Sequence, residues 1–201
     1  RSKTMHSQIY TPMKIKNGGG VRLIRKTNQE KAMTVFIVDE ASMVSNILSK
    51  SENFFVSKPL LEDYIDYLKQ GNGQNKVIFI GDKFQLPPVN ETISPALNPD
   101  FLNKQFGLRG EEYELTKVMR QDENSEILEI ATGIRDLLKK GISNSHISLD
   151  RERYPSFALN RYLAEFDSDN INKVTAICYS NRDVKYWNNW IRQKLGLSSS
   201  I

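Results

Sequence analysis

Two apolar runs in this chain each end in carboxylates. Met33-Thr34-Val35-Phe36-Ile37-Val38 leads into Asp39-Glu40, and Val77-Ile78-Phe79-Ile80 leads into Gly81-Asp82. An aspartate so placed can hold the shell of a magnesium ion, and a neighbouring glutamate can orient and deprotonate water. Acidic residues also end strands as plain turn formers, so the dipeptide alone supports either reading. The second run continues as Gly81-Asp82-Lys83-Phe84-Gln85-Leu86-Pro87-Pro88-Val89, adding an uncharged amide and two prolines that fix the backbone. Gln85 can donate to a terminal phosphate while accepting from water, and so register whether that phosphate is present. The prolines serve equally as a rigid loop exit. Farther along, Leu115-Thr116-Lys117-Val118-Met119-Arg120-Gln121 offers Arg120. Its guanidinium can neutralise charge on a transferring phosphoryl group, although most arginines at helix starts are surface residues.

The elements that must position these groups are those of an α/β protein. Unbroken β-branched and aromatic runs of this length predict strands buried on both faces, hence a parallel sheet. Between them, Leu61, Tyr64, Ile65 and Leu68 share one face of a helix over 60–68. Strand, helix and strand over about 40 residues make a βαβ crossover. Polar residues at the carboxyl ends of such strands face the ligand crevice. Upstream, Met13–Arg25 reads as a hairpin around Asn17-Gly18-Gly19-Gly20, since glycine supplies the positive φ of a tight reversal.

The second half repeats the alternation. Residues 113–118 read as extended. Ser125–Lys140 reads as an amphipathic helix with Ile127, Ile130, Ile134, Leu137 and Leu138 inward, stopped by Gly141. Val174–Tyr179 reads as another buried strand. Ser180-Asn181-Arg182-Asp183 then opens a helix in the manner of a capping box, with Val184, Trp187, Ile191 and Leu195 at apolar spacing. Residues 141–170 carry a weak pattern and are expected to be irregular.

Composition sets bounds on function. The 201 residues are 39% apolar and 26% charged, which is ordinary for a folded domain or two. No apolar run reaches the ~18–20 residues that cross a bilayer. The single cysteine, Cys178, excludes an intramolecular disulfide and a thiolate zinc cluster. Without a signal-like segment at Arg1, a cytoplasmic protein is expected, with no membrane partner. The net charge of +4 is unevenly spread: residues 1–31 hold eight bases against Glu30, or +7, leaving −3 for the rest. A basic end suits a phosphate-backbone contact, and a solvated basic loop explains the same count.

These pieces together resemble the superfamily 1 DNA helicases of the RecD and Dda type, often called exonuclease V α-subunits. The resemblance lies in Phe36–Met43 as motif II, Gly81–Val89 as motif III and Leu115–Gln121 as motif IV, in matching order and spacing. Gly-Asp-x-x-Gln-Leu-Pro-Pro-Val is a specific signature of that group. Thr4-Met5-His6-Ser7 looks like its threonine–histidine motif, and Tyr179–Val184 like the entry to its second domain. The resemblance implies a RecA-like P-loop NTPase fold with a mostly parallel sheet. A partial first domain would span 1–115, with a hairpin insertion at about 12–30, and the start of a second RecA-like domain would span 116–201. It implies an ATP-dependent motor on single-stranded DNA, moving 5′ to 3′, with ATP and magnesium as cofactors. By the same carry-over Asp39 holds magnesium, Glu40 is the catalytic base, Asp82 and Gln85 meet the nucleotide, and Arg120 meets the γ-phosphate. Thr4, His6 and Pro87 would lie near DNA. The hairpin would act at the duplex fork, with Lys14, Lys16, Arg22 and Arg25 on the DNA backbone. No nuclease chemistry accompanies the name, because no acidic cluster with a suitably spaced lysine is present.

Two family parts are missing. The nearest match to a phosphate loop, Gly20-Val21-Arg22-Leu23-Ile24-Arg25-Lys26-Thr27, has Arg25 where the second glycine belongs, and no buried strand precedes it. The last motifs of the second domain are also absent. An internal segment of a longer helicase is therefore expected, which alone hydrolyses almost no ATP. The alternative is a nucleic-acid-binding or scaffold subunit that keeps the fold without catalysis. Elsewhere, His146 reads as a surface residue, Trp187 as core, Cys178 as inert packing, and Phe84 as either a base-stacking ring or packing under the proline turn.

Overall fold

The computed structural model describes residues 2–15, 19–48, 54–117, 126–142, 158–166 and 175–197. The chain divides into two compact units, Arg1–Ile142 and Ser143–Ile201.

In the first unit a short helix α1 (Met5–Ile9) is capped by Thr4, whose hydroxyl accepts the Ser7 N–H. It leads into β1 (Tyr10–Lys14), which pairs antiparallel with β2 (Val21–Arg25) from Tyr10↔Arg25 to Lys14↔Val21. Gly19 and Gly20 both have positive φ next to the turn, as the reversal requires. The hairpin thus forms where the glycines place it and starts three residues before Met13. A two-residue strand β4 (Phe54–Phe55), which sequence reading missed, joins β2 in parallel.

The βαβ crossover forms as its pattern demands. β3 (Val35–Val38) and β5 (Lys76–Phe79) pair in parallel, Val38 opposite Phe79, with α2 (Leu60–Gly71) between them in the chain. Leu61, Tyr64, Ile65 and Leu68 are all buried, joined by Tyr67, whose ring meets Phe36 edge-on at 6.5 Å. Phe36, Val38, Val77 and Phe79 face this core.

The strands are not buried on both faces, contrary to the sequence expectation. Val35, Ile37, Ile78 and Ile80 turn to solvent, Ile37 being 66% exposed. With only two strands in this sheet, period-two alternation sends every second side chain away from the α2 side, where the described residues provide no cover. The longer runs read from sequence therefore record apolar content on two faces, of which the fold buries one.

After β5 come a 3₁₀ turn (Pro95–Leu97) and α3 (Pro99–Phe106), capped by Asn98 and closed by Gly107 in the left-handed region. Residues 113–117 join neither sheet, contrary to expectation, and Tyr113 and Leu115 are exposed. α4 (Glu126–Lys139) follows and ends as Gly141 predicts. The Gly141 N–H bonds Leu138 O at 3.0 Å and the Ile142 N–H bonds Leu137 O at 2.9 Å, the paired bonds of a Schellman motif.

The second unit contains α5 (Ala158–Glu165), a helix where irregular structure was expected, and α6 (Asn181–Lys194). Ser180 caps α6 by accepting the Asp183 N–H and donating to Oδ2 of Asp183 at 2.6 Å. Residues 175–179 are neither a strand nor buried: Ile177 is 94% exposed. An extended segment needs a neighbour to receive its backbone groups, and the described residues of this unit hold no strand. Cys178 is half-buried in a shallow groove beside Tyr162 and Trp187, instead of lying inside a sheet. Ile191 is the buried residue of α6, while Trp187 sits at the edge of exposure.

Candidate functional site at the carboxyl edge of the parallel pair

The parallel pairing puts the carboxyl ends of β3 and β5 side by side. The ladder runs one step past the strands: Ile80 N–H bonds Val38 O, and Ala41 N–H bonds Ile80 O, both at 2.8 Å. Asp39-Glu40 and Gly81-Asp82 therefore leave the sheet together at one edge. Behind them the chain after Glu40 turns into a 3₁₀ helix (Ala41–Met43) that passes close over Gly81. A Cβ on Gly81 would sit 2.9 Å from the Ser42 backbone nitrogen and 3.0 Å from Leu97 Cδ1, so only glycine lets these two segments meet.

Glu40 adopts φ 53°, ψ 37°, the left-handed region that costs a non-glycine residue about 1–2 kcal/mol. Asp39 supports it by accepting the Glu40 N–H on Oδ1 at 2.9 Å. The second oxygen of Asp39 has no partner among the described residues, and both side chains are exposed. Strain of this kind persists where neighbouring structure enforces it, here the ladder bonds on either side.

On the β5 side, Asp82-Lys83-Phe84-Gln85 is a hydrogen-bonded turn, Gln85 N–H to Asp82 O at 3.2 Å. Asp82 Oδ1 accepts the Phe84 N–H at 2.9 Å, and Oδ2 accepts from Arg135 of α4 at 2.8 Å. Asp82 is thus engaged within the protein, whereas Gln85 at the end of the turn is exposed. Past the turn Pro88 is buried, Pro87 half-buried and Leu86 exposed. Glu91 ties this loop to the one after the Ala41–Met43 turn by accepting from Ser45 Oγ and from the Asn46 N–H. Neither Arg135 nor Glu91 was singled out from sequence, since each is an ordinary polar residue until the fold brings its partner close.

Across known families, characterised proteins and solved structures, nothing significantly matches this chain.

The remaining sequence-derived residues fall in separate places. Arg120 and Lys16 lie outside the described residues, as does His146. Thr4 caps α1, and the His6 ring stands 5.8 Å from that of Tyr10. Lys14 and Arg22 are exposed on the hairpin and form no ion pair with any described residue. Arg25, grouped with them from sequence, instead bonds the buried Asp63 at 3.2 Å.

As a magnesium site, the edge fits. That ion takes one or two carboxylates and completes its shell with water and substrate phosphates, and Asp39 has a free oxygen to give. No cluster of three or more His, Cys, Asp or Glu forms among the described residues, and such a site needs none. No described helix is long and apolar enough to cross a membrane.

Proposed function

We propose that this chain is part of an ATP-driven motor of RecA-like fold that steps along single-stranded DNA, in the 5′ to 3′ sense of the helicases it resembles. One observation carries the reading: two parallel neighbouring strands end in Asp39-Glu40 and in the turn from Asp82 to Gln85 at a common edge. A triphosphate lying over that edge has an acid pair on one side and an amide on the other. Asp39 would hold magnesium, which would supply charge neutralisation to the phosphates. Glu40 accepts a proton from water while that oxygen bonds the γ-phosphorus and the bond to the β-phosphate oxygen breaks. Gln85 contacts the γ-phosphate, and Arg120 balances its developing charge.

DNA belongs on the basic end. Lys14 and Arg22, with Lys16, meet the phosphate backbone at the fork, and Thr4, His6 and Pro87 line its approach. Arg25 is assigned a structural role instead. The cytoplasm is the setting that suits such a motor.

A second reading, a nucleic-acid-binding or scaffold subunit without catalysis, is favoured by one observation. The nearest relative of a phosphate loop, 20–27, contains β2 of a hairpin and presents no helix N-terminus. The test is DNA-stimulated ATP turnover by the natural protein that carries this chain, wild type against Glu40→Gln. The motor reading expects a fall of about 10²-fold or more. Equal rates remove Glu40 from its role, and no turnover in either protein favours the scaffold.

A further inference from the structure

Asp82 is gripped from two elements at once. Its own turn takes one carboxylate oxygen through the Phe84 N–H, and α4 takes the other through Arg135. The Arg135 guanidinium carbon also lies 5.3 Å from the centre of the Phe84 ring, and Lys139 Nζ lies 5.6 Å from it. Arg135 and Lys139 are one helical turn apart, so a single face of α4 covers the turn that ends in Gln85. A planar guanidinium can donate edge-on to a carboxylate while resting over an aromatic face, a combination closed to an ammonium group. Ion pairs as exposed as this one add little to global stability, so their consequence is local geometry.

We propose that Arg135 is a positioning residue: through Asp82 it holds the turn that presents Gln85 at the strand edge. The proposal rests on the motor reading above, in which Gln85 meets the terminal phosphate. In this proposal Arg135 acts on the site through the turn that it braces.

The test uses the natural protein and measures DNA-stimulated ATP turnover for Arg135→Ala, Arg135→Lys, Gln85→Ala and the Arg135→Ala/Gln85→Ala double variant. Arg135→Ala lowers kcat about tenfold with KM for ATP within about twofold, and Arg135→Lys recovers part of the loss. Because both act through one amide, the double variant is no more than about twofold slower than Gln85→Ala alone. An unchanged kcat in Arg135→Ala overturns the proposal, as do fully additive losses. Should Arg135→Ala fail to fold, Asp82→Asn keeps the shape and the acceptor for Phe84 but removes the ion pair. It shifts kcat the same way, and no shift overturns the proposal. A second readout needs no turnover: amide hydrogen exchange at Phe84 and Gln85 is faster in Arg135→Ala at an unaltered thermal midpoint. Unchanged exchange removes the brace itself, whereas faster exchange without any ATP turnover in wild type removes only the motor reading.

Discussion

The Arg25 guanidinium lies 3.2 Å from the Asp63 carboxylate, tying the hairpin to α2. Asp63 is buried, and an unpaired charge there would carry a desolvation cost of several kcal/mol. Tyr10 completes its shell by donating its phenolic proton at 2.7 Å, and Asp66 approaches Arg25 at 3.9 Å. A basic side chain counted toward DNA from sequence therefore balances an acid inside the protein.

Arg25 and Arg22 should consequently separate by assay. Arg25→Ala leaves Asp63 uncompensated and lowers stability by about 2–3 kcal/mol, read from urea denaturation. Arg22→Ala and Lys14→Ala change stability by less than about 0.5 kcal/mol. Those two weaken single-strand binding and flatten its salt dependence by about one unit per residue. Unchanged affinity in the Arg22→Ala/Lys14→Ala double variant removes the hairpin from the DNA site.

Tyr10 predicts an alkaline weakness. Burial, and then its hydrogen bond to Asp63, push the phenol well above its usual range. Burial likewise raises Tyr64, to about 12. A raised folded-state value means that the unfolded chain loses its proton first. Stability is complete below about pH 10 and declines as pH rises from there toward the folded values. Tyr10→Phe removes its share of this decline, and costs about 1–2 kcal/mol at neutral pH through the lost bond to Asp63. A pH-independent midpoint between 9 and 12 in the wild type would contradict this.

The left-handed backbone at Glu40 sets function against stability. Glu40→Gly relieves the steric cost and should raise stability by up to about 1 kcal/mol while removing the proposed base. Gly81→Ala does the reverse, forcing a methyl against the Ser42 nitrogen and Leu97, and costs about 1–3 kcal/mol. Thermal melts of the two variants should move in opposite directions.

The open face of the β3–β5 pair predicts self-association of the isolated chain. Val35, Ile37, Ile78 and Ile80 form an exposed β-branched patch on one side of the sheet. Ile37→Lys should lower light scattering at a given concentration and leave the melting midpoint within about 2 °C, because the residue buries little. Scattering that does not respond assigns association to another surface.

Local signals that act within a few residues were legible from sequence. The hairpin glycines, the helical spacing of Leu61, Tyr64, Ile65 and Leu68, the Ser180 cap and the Gly141 stop each bias their own stretch of backbone. The structure carries them all. The Asp39-Glu40 and Asp82 placements at strand ends were legible for the same reason. The helix of 158–165 was missed although Leu159, Tyr162 and Leu163 stand at helical spacing, because eight residues are too short a stretch to stand out as a period, and β4 because two residues carry none.

What only the tertiary structure decided is which side chains find partners. A run such as Val35–Val38 or Val174–Tyr179 states apolar content and leaves open whether anything lies on either side. In the fold the first is covered on one face, and the described part of the second, 175–179, is in neither sheet. Charge is the same case. Arg25, Asp82 and Arg135 look alike in sequence to any exposed base or acid, and they acquire their roles from contacts separated by 38 to 53 positions along the chain. Residue type and spacing act through short-range backbone energetics. Burial and ion pairing depend on which distant segment arrives, and that is a property of the folded chain alone.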